Sequence, residues 1–180
     1  MSQPFIDLFS AQSGDYARYR PHYPRALFQH LSQACSGHDL AWDCATGNGQ
    51  AALGLAPFFK KVLATDASER QLKEAQAHEK VEYCLAATES SGLGASSTDL
   101  ITVAQAFHWL DQARFFTEVV RVSKPEGLRA VWCYELCTIS PGVDAVIGKL
   151  YKEIFGSWWH KGRGLVEEGY RSVKFPFEEI

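Results

Sequence analysis

The segment with the clearest chemical potential is a small-residue turn that follows a short apolar run. The run, residues 41–44, contains an acid, Asp43, near its end. Residues 45–49 then include two glycines, and a helix-prone stretch follows. This order of residue types is typical of a strand, a tight turn and a helix. Because Gly47 and Gly49 lack a Cβ atom, the backbone there can approach a ligand closely. The segment therefore predicts a binding loop with a carboxylate at the end of its strand.

The acid at the predicted strand end narrows the kind of ligand. A carboxylate at Asp43 would repel the diphosphate of a dinucleotide and would attract a cationic amine. Residues 47–52 also fit the G-x-G-x-x-A pattern of dinucleotide-binding loops, which leaves an NAD-binding oxidoreductase as a remote alternative. We expect a cofactor that combines a nucleoside with positive charge, and S-adenosylmethionine meets both requirements.

A second acid ends the next predicted strand. Asp66 follows the glycine turn by roughly 20 residues, where an acid is placed to accept hydrogen bonds from ribose hydroxyls. A helix N-cap beside Ser68 is the alternative role. We expect the ribose contact, because the glycine turn precedes Asp66 in the chain.

Strand-like apolar runs alternate with helical patterns along the chain. The predicted strands are residues 40–44, 61–66, 81–85, 99–104 and 128–134. The predicted helices include one opened by Pro24 and ending at Gly37, one capped by Ser68, one capped by Asp111 and reaching Ser123, and residues 143–155. This alternation predicts an α/β fold with a doubly wound, mostly parallel sheet. Ligands of such sheets bind at the carboxyl ends of the strands, where both acids fall.

Composition and charge narrow the class of protein. A length of 180 residues predicts one domain, and a net charge of −3 argues against a nucleic-acid partner bound through bulk charge. The apolar runs are strand-sized, and the first residues lack the pattern of a signal peptide, so we expect no membrane partner. Five cysteines without a C-x-x-C pair indicate a cytoplasmic protein with neither a disulfide framework nor a metal site.

Several segments resemble motifs of the class I S-adenosylmethionine-dependent methyltransferases. Residues 43–49 resemble the family's D-x-G-x-G-x-G motif, with Ala45 in place of the first glycine, and residues 103–109 and 122–127 resemble its later motifs. The opening D-Y-A-R-Y-R-P-H-Y-P at residues 15–24 is similar to the type 11 branch, near the trans-aconitate methyltransferases. The likeness extends over nearly the whole chain.

The resemblance implies an architecture and a set of cofactor contacts. It implies a Rossmann-like sheet with strand order 3-2-1-4-5 in one domain, in which residues 1–23 form a lid, 24–140 the cofactor-binding core and 141–180 a C-terminal part. By position, the implied cofactor-binding residues are Tyr16, Arg20, Asp43, Ala45, Thr46, Gly47, Asp66, Ala67, Thr88, Glu89, Gln105 and Ala106.

The implied contacts divide along the cofactor. The methionine amine would be held by Asp43 and the backbone of Ala45 and Gly47, and the methionine and sulfonium would lie along Gln105 and Ala106. The ribose would be held by Asp66. The adenine would lie against Ala67, with Thr88 and Glu89 near its edge. From the lid, Tyr16 would cover the site and Arg20 would pair with the cofactor carboxylate, a surface ion pair being the alternative role of Arg20.

Two residues after the fourth predicted strand are candidates for the acceptor side. His108 is a candidate general base, because imidazole titrates near neutral pH, and packing with hydrogen bonding is its alternative role. Trp109 would form a wall of the acceptor pocket. The resemblance implies a small-molecule acceptor, and a carboxylate acceptor would need no base.

The chain departs from the family pattern in two places. Glu126 stands where the family usually has glycine, in a loop expected before the fifth strand and away from the cofactor, so we expect a mild effect. The family sheet has seven strands, whereas this chain ends at Ile180, about where strand six should begin. We therefore expect strands six and seven to be missing. A truncated, non-catalytic form that binds S-adenosylmethionine is the rival to an active enzyme.

Overall fold

A computed structural model describes residues 21–159 and 162–178. The described residues up to Val131 form one compact unit, and those from Trp132 onward form a second. The organisation of the whole chain as a single domain, with internal boundaries after residues 23 and 140, stays a prediction.

The first unit alternates strands and helices as the sequence predicted. Its strands are β1 Leu40–Cys44, β2 Lys61–Asp66, β3 Val81–Leu85, β4 Thr98–Ala104 and β5 Ser123–Trp132, the last of which reaches the unit boundary. Its helices are α1 Arg25–Ala34, α2 Gln50–Leu55, α3 Glu69–Lys73 and α4 Gln112–Val122, with a 3-10 turn at Phe107–Trp109. The second unit contains α5 Pro141–Lys149, a π-helical turn Leu150–Ile154, a 3-10 turn Gly156–Trp158 and α6 Arg163–Glu167.

The strands form one sheet in the order β3-β2-β1-β4-β5. The pairs β1–β2, β2–β3 and β1–β4 are all parallel. This arrangement confirms the predicted doubly wound α/β fold and its strand order. The order reverses between β1 and β4, and ligands of such sheets bind at this switch point.

Consecutive residues of β1 show how the two faces of the sheet are covered. The Trp42 side chain is fully buried on one face and packs against Phe115 of α4, with ring centroids 6.3 Å apart. Asp43 points to the opposite face, toward α2, and hydrogen bonding from the Ala52 backbone there lowers the pKa of its carboxyl. Helices therefore lie on both faces of β1, as the apolar strands predicted.

Helix boundaries follow the predicted caps with small shifts. The Ser68 hydroxyl accepts a hydrogen bond from the Gln71 N–H at 3.4 Å, and the Asp111 carboxylate accepts one from the Arg114 N–H at 3.3 Å. Pro24 occupies the N-cap position and not the first helical position, and α1 ends at Ala34, three residues before the predicted Gly37. In the second unit the helical segment begins at Pro141, earlier than predicted.

The prediction that a loop containing Glu126 precedes the fifth strand is wrong, because β5 already begins at Ser123. The first residues of β5 lie close to the start of β4, where the Thr98 hydroxyl donates to the Val122 carbonyl at 3.0 Å. A Cβ atom on Gly127 would lie 2.9 Å from the Thr98 carbonyl oxygen, so this glycine permits the close approach. Glu126 itself is exposed.

The amino ends of the strands are tied together by Asp99, which is 4% exposed. Its carboxylate accepts hydrogen bonds from the N–H groups of Asp39 and Leu40 at 2.8 and 2.9 Å and from Lys124 Nζ at 2.6 Å. Burial raises the pKa of Asp99, but these hydrogen bonds outweigh burial and hold the pKa below its usual value. A carboxylate that is paired in this way stays ionised and links β1, β4 and β5.

The connection between β3 and β4 contains no helix and is anchored to α4. Glu118 of α4 accepts hydrogen bonds from the Ser91 N–H at 2.9 Å and from the Ser91 hydroxyl at 2.6 Å. Arg121 donates two more at 2.7 Å, and its hydrogen bond is the main cause that lowers the pKa of Glu118 to about 2.

Among the described residues, no helix is long and apolar enough to cross a membrane.

We predict that Gly54→Ala destabilises the first unit by about 1–3 kcal/mol, because overpacking of a buried contact costs this much. A Cβ atom at position 54 would lie 2.1 Å from the ring of Phe28, which is 3% exposed and has no room to move. Chemical denaturation measures the loss. Gly94→Ala is the matched control, because its Cβ would lie at an ordinary 3.9 Å from Ser97. Equal stability of the two variants would contradict the tight packing of α1 on α2.

Candidate functional site

The carboxylate of Asp43 joins the turn after β1 to the neighbouring strand β4. It has no exposed surface. One oxygen accepts the hydroxyl hydrogen of Thr46 in the turn at 2.5 Å, and the other accepts that of Thr102 in β4 at 2.8 Å. Asp43 therefore lies at the switch point of the sheet, where the sequence placed the cofactor, and its contacts fix the turn.

Burial dominates the electrostatics of Asp43. Desolvation raises its pKa to about 6, hydrogen bonds from Thr46, Thr102 and Ala52 oppose the rise, and the nearby carboxylate of Asp66 adds to it. Two acids on one edge of the sheet create a region of negative charge. Such a region favours a cationic ligand over a diphosphate.

The turn between β1 and α2 is held in a left-handed backbone conformation. Ala45, Gly47 and Gly49 have φ angles of +55°, +58° and +87°. Gln105, directly after β4, has φ +56°. A left-handed conformation is strained for residues other than glycine, and such strain persists only where the surroundings impose it. The position at which the family motif has glycine, occupied here by Ala45, is thus one that favours glycine physically.

Asp66 links the end of β2 to the same turn. Its Oδ2 accepts a hydrogen bond from the Gly47 N–H at 2.8 Å, and its Oδ1 accepts one from the Ser68 N–H at 2.8 Å. Ser68 is the N-cap of α3, so Asp66 supports the cap without being the cap itself. Asp66 is half-buried, and its two hydrogen bonds hold its carboxylate against the turn.

The remaining predicted residues fall on neighbouring loops. Ala67 is exposed beside Asp66, and the Thr88 hydroxyl donates to exposed Glu89 at 3.2 Å. Gln105 and Ala106 follow β4 directly, with both residues half-buried. Tyr16 and Arg20 lie outside the described residues.

His108 and Trp109 lie in the 3-10 turn after β4. Both are half-buried, and their ring centroids are 4.8 Å apart. The Trp109 N–H donates to the Ala106 carbonyl at 2.9 Å, which ties this turn to the predicted cofactor segment. The two candidate acceptor residues are thus brought together.

Two residues near the turn carry signals that the sequence reasoning missed. Tyr83 of β3 lies against Gly49, where a Cβ atom would be 2.3 Å from the phenol oxygen. Gln50, the first residue of α2, has both amide atoms buried without a hydrogen-bond partner among the described residues. The glutamine was visible at the end of the glycine motif, but nothing in its residue type predicted an unpaired amide.

Two further features of the described part of the chain concern metal ligands and cavities. It contains no cluster of three or more side chains able to hold a metal ion. A groove of about 500 Å³ runs along β2 and β3, lined in part by Lys61, Leu63, Glu82 and Cys84. This groove includes none of the residues that the sequence predicted for the cofactor.

The sequence model of a protein family described as a methyltransferase domain matches residues 42–131. This range includes the turn, both acids and the segment after β4. The chain belongs to this methyltransferase family. S-adenosylmethionine is the cofactor of the family, in agreement with the prediction from the acid at the strand end. The family assignment leaves the NAD-binding alternative without support.

Relatives of the methyltransferase support the assignment over most of the chain. A candidate methyltransferase of Dictyostelium discoideum is 36% identical over 97% of this chain and 68% of its own length. A candidate S-adenosylmethionine-dependent methyltransferase of Saccharomyces cerevisiae is 28% identical over 68% of this chain and 45% of its own length. The solved structure of a candidate type II methyltransferase from Anaeromyxobacter dehalogenans is 43% identical, with a TM-score of 0.82, over 90% of this chain and 69% of that one. The chain thus spans between 45% and 69% of these three relatives.

We predict that Ala45→Gly stabilises the methyltransferase by about 0.5–1 kcal/mol. The substitution relieves a left-handed alanine, which costs about 1–2 kcal/mol, and part of this gain is offset by the greater freedom of glycine in the unfolded chain. Urea denaturation measures the change. Ala87→Gly is the matched control, because its φ is not positive, and it should lose stability. A loss of stability in both variants would show that Ala45 is not strained.

We predict that Asp43 makes stability fall as the pH rises through its raised pKa. The unfolded pKa is 3.8 and the folded pKa is about 6, so the folded state binds the extra proton between these values. The difference in unfolding free energy between wild type and Asp43→Asn should therefore decrease by on the order of 2 kcal/mol from about pH 4.5 to about pH 7.5.

Urea denaturation of both proteins across this pH range measures the effect. Asp39→Asn is the control, because hydrogen bonding to Lys60 lowers the pKa of Asp39 below 3.8, so its difference from wild type should stay nearly constant over this range. A pH-independent difference between wild type and Asp43→Asn would contradict the buried, raised carboxyl.

Proposed function

We propose that the chain transfers a methyl group from S-adenosylmethionine to a small-molecule acceptor, and that this acceptor is a carboxylate. The observation that carries the proposal is the pair of acids, Asp43 and Asp66, hydrogen-bonded to one strained turn at the switch point of the sheet. The carboxylate acceptor rests on the resemblance to the trans-aconitate methyltransferase group.

The residues at this edge fit a cofactor with a cationic methionine end and a ribose. Two carboxylates supply negative charge and hydroxyl acceptors, and the buried amide of Gln50 is left for a partner that the described residues do not provide. When bound, S-adenosylmethionine supplies an activated methyl group on its sulfonium. The chain then has to bind the cofactor and the acceptor, to align the acceptor with the methyl group and to exclude water from the site.

Different residues would hold the two ends of the cofactor. Asp43, being fully buried, acts as a positioning residue that fixes the turn and supplies charge, while the backbone of Ala45, Thr46 and Gly47 faces the methionine amine. Asp66, which ends β2 beside the turn, accepts hydrogen bonds from the ribose hydroxyls.

The remaining contacts extend this assignment to the adenine and the methyl group. Adenine would be contacted by Ala67, Thr88 and Glu89. Gln105 and Ala106 would contact the methionine part and the sulfonium. In this proposal Tyr16 and Arg20 form part of a lid, with Arg20 on the cofactor carboxylate.

His108 and Trp109 are proposed for the acceptor side. They lie in the 3-10 turn after β4, and their rings are in contact. Trp109 would pack against the acceptor and exclude water. If the acceptor is a carboxylate, it is already a nucleophile and His108 orients it, whereas a hydroxyl or amine acceptor would need His108 as a general base.

A form that binds the cofactor without turnover is the rival proposal. The chain covers 68% of the Dictyostelium relative and 45% of the yeast relative. Incubation with S-adenosylmethionine and a panel of small carboxylic acids, alcohols and amines, read out as S-adenosylhomocysteine formed, separates the two. Acceptor-dependent product supports turnover. Cofactor binding with no product on carboxylic, hydroxyl or amine acceptors supports the rival.

We predict that Asp66→Ala weakens S-adenosylmethionine binding by about 1–3 kcal/mol, because the ribose loses its acceptor. His108→Ala should leave cofactor affinity nearly unchanged, because His108 faces the acceptor. Calorimetric titration measures both affinities. Asp39→Ala is a matched acid-to-alanine control at the opposite end of β1. Unchanged affinity in Asp66→Ala would refute the ribose contact, and a large loss in His108→Ala would place that residue among the cofactor contacts.

A further inference from the structure

A half-buried arginine in the second unit lies against two neighbouring aromatic rings. The guanidinium carbon of Arg163 lies 5.0 Å from the ring centroid of Tyr151 and 5.4 Å from that of Trp159. The two rings are themselves close, with centroids 4.9 Å apart and planes inclined by 32°. Stacking on aromatic faces holds a guanidinium in one plane and suits it to planar partners.

Tyr151 organises this cluster through hydrogen bonds. It is 8% exposed, its hydroxyl accepts a hydrogen bond from Arg163 Nε, and the same hydroxyl donates to Glu167 at 2.7 Å. Trp159 Nε1 donates to the Tyr151 carbonyl at 2.9 Å. Burial, followed by the bond to Glu167, raises the pKa of Tyr151, so the hydroxyl keeps its proton. The aromatic rings and the arginine are therefore fixed before any ligand arrives.

The terminal nitrogens of Arg163 remain available. Among the described residues, the Arg163 side chain donates a hydrogen bond through Nε alone, and no carboxylate lies within ion-pair distance of the guanidinium. Glu167 is the nearby acid, and it is bound to the Tyr151 hydroxyl and not to the arginine. A half-buried cation with two unused donor groups favours an anion as its partner.

The surface beside the arginine is apolar. Trp159 is 43% exposed and Phe155 is 48% exposed, and their ring centroids are 6.4 Å apart. Exposed aromatic rings next to a fixed cation match a ligand that has an anionic head and an apolar body.

We propose that Arg163, Tyr151 and Trp159 form a binding site for the carboxylate of a small organic acid whose apolar body packs on Trp159 and Phe155. The planar fork of the guanidinium matches the planar carboxylate with two parallel hydrogen bonds. The nearby negative charge of Glu167 disfavours a dianion more than a monoanion, so phosphate is the weaker ligand. The site lies within the second unit and does not depend on the proposed methyl transfer.

Benzoate is the probe that tests this site, in a titration of the full chain without S-adenosylmethionine. The readout is the NMR signal of the Trp159 indole N–H, assigned through the variant Trp159→Phe. Wild type should show a saturable shift with benzoate. Benzamide, which has the same shape without the charge, and inorganic phosphate should each bind at least tenfold more weakly.

Two arginine variants and one glutamate variant separate recognition from folding. Arg163→Lys keeps the charge but loses the fork, and it should weaken benzoate binding at least tenfold, as should Arg163→Gln. Glu167→Gln removes the competing charge and should bind benzoate at least as tightly as wild type. Circular dichroism checks that each variant is folded. Wild-type affinity in both arginine variants, equal affinity for phosphate, or no saturable shift in wild type and Glu167→Gln would overturn the proposal.

Discussion

The site depends on one buried charge. Asp43 has no exposed surface, yet it holds the turn after β1 against β4 through the hydroxyls of Thr46 and Thr102. Desolvation makes this arrangement costly, because the ionised carboxyl has lost its water. This unfavourable desolvation occurs at the carboxyl ends of the strands, where the negative charge can attract a cationic ligand. The strained turn and the second acid, Asp66, are both built onto this interaction.

The buried acids at the two ends of the sheet have pKa values shifted in opposite directions. At the amino ends, Asp99 is fully compensated by Lys124 and by backbone N–H groups, so that its pKa falls and the strands are fixed together. At the carboxyl ends, Asp43 is buried between two threonine hydroxyls, and desolvation raises its pKa. The strands are thus tied together at their amino ends, and the acids proposed for ligand binding lie at their carboxyl ends.

The sequence predicted the fold well because its information was local. Apolar runs gave the first three strands at their observed bounds, and Ser68 and Asp111 marked helix starts through cap chemistry. The beginning of β5 was missed, because it depends on the contact of Gly127 with Thr98, which no local pattern encodes. The unpaired amide of Gln50 and the contact of Tyr83 with Gly49 were missed for the same reason. The only sign in the sequence of the strain at Ala45 was that the family motif has glycine at this position.

The central claim is that this edge of the sheet binds S-adenosylmethionine in the 180-residue chain, although relatives are longer. The most direct measurement is calorimetric titration of the purified chain with S-adenosylmethionine, with NAD as the control. We predict binding of S-adenosylmethionine with a dissociation constant on the order of micromolar, and no binding of NAD. A folded chain that binds neither compound, or that binds NAD equally well, would contradict the claim.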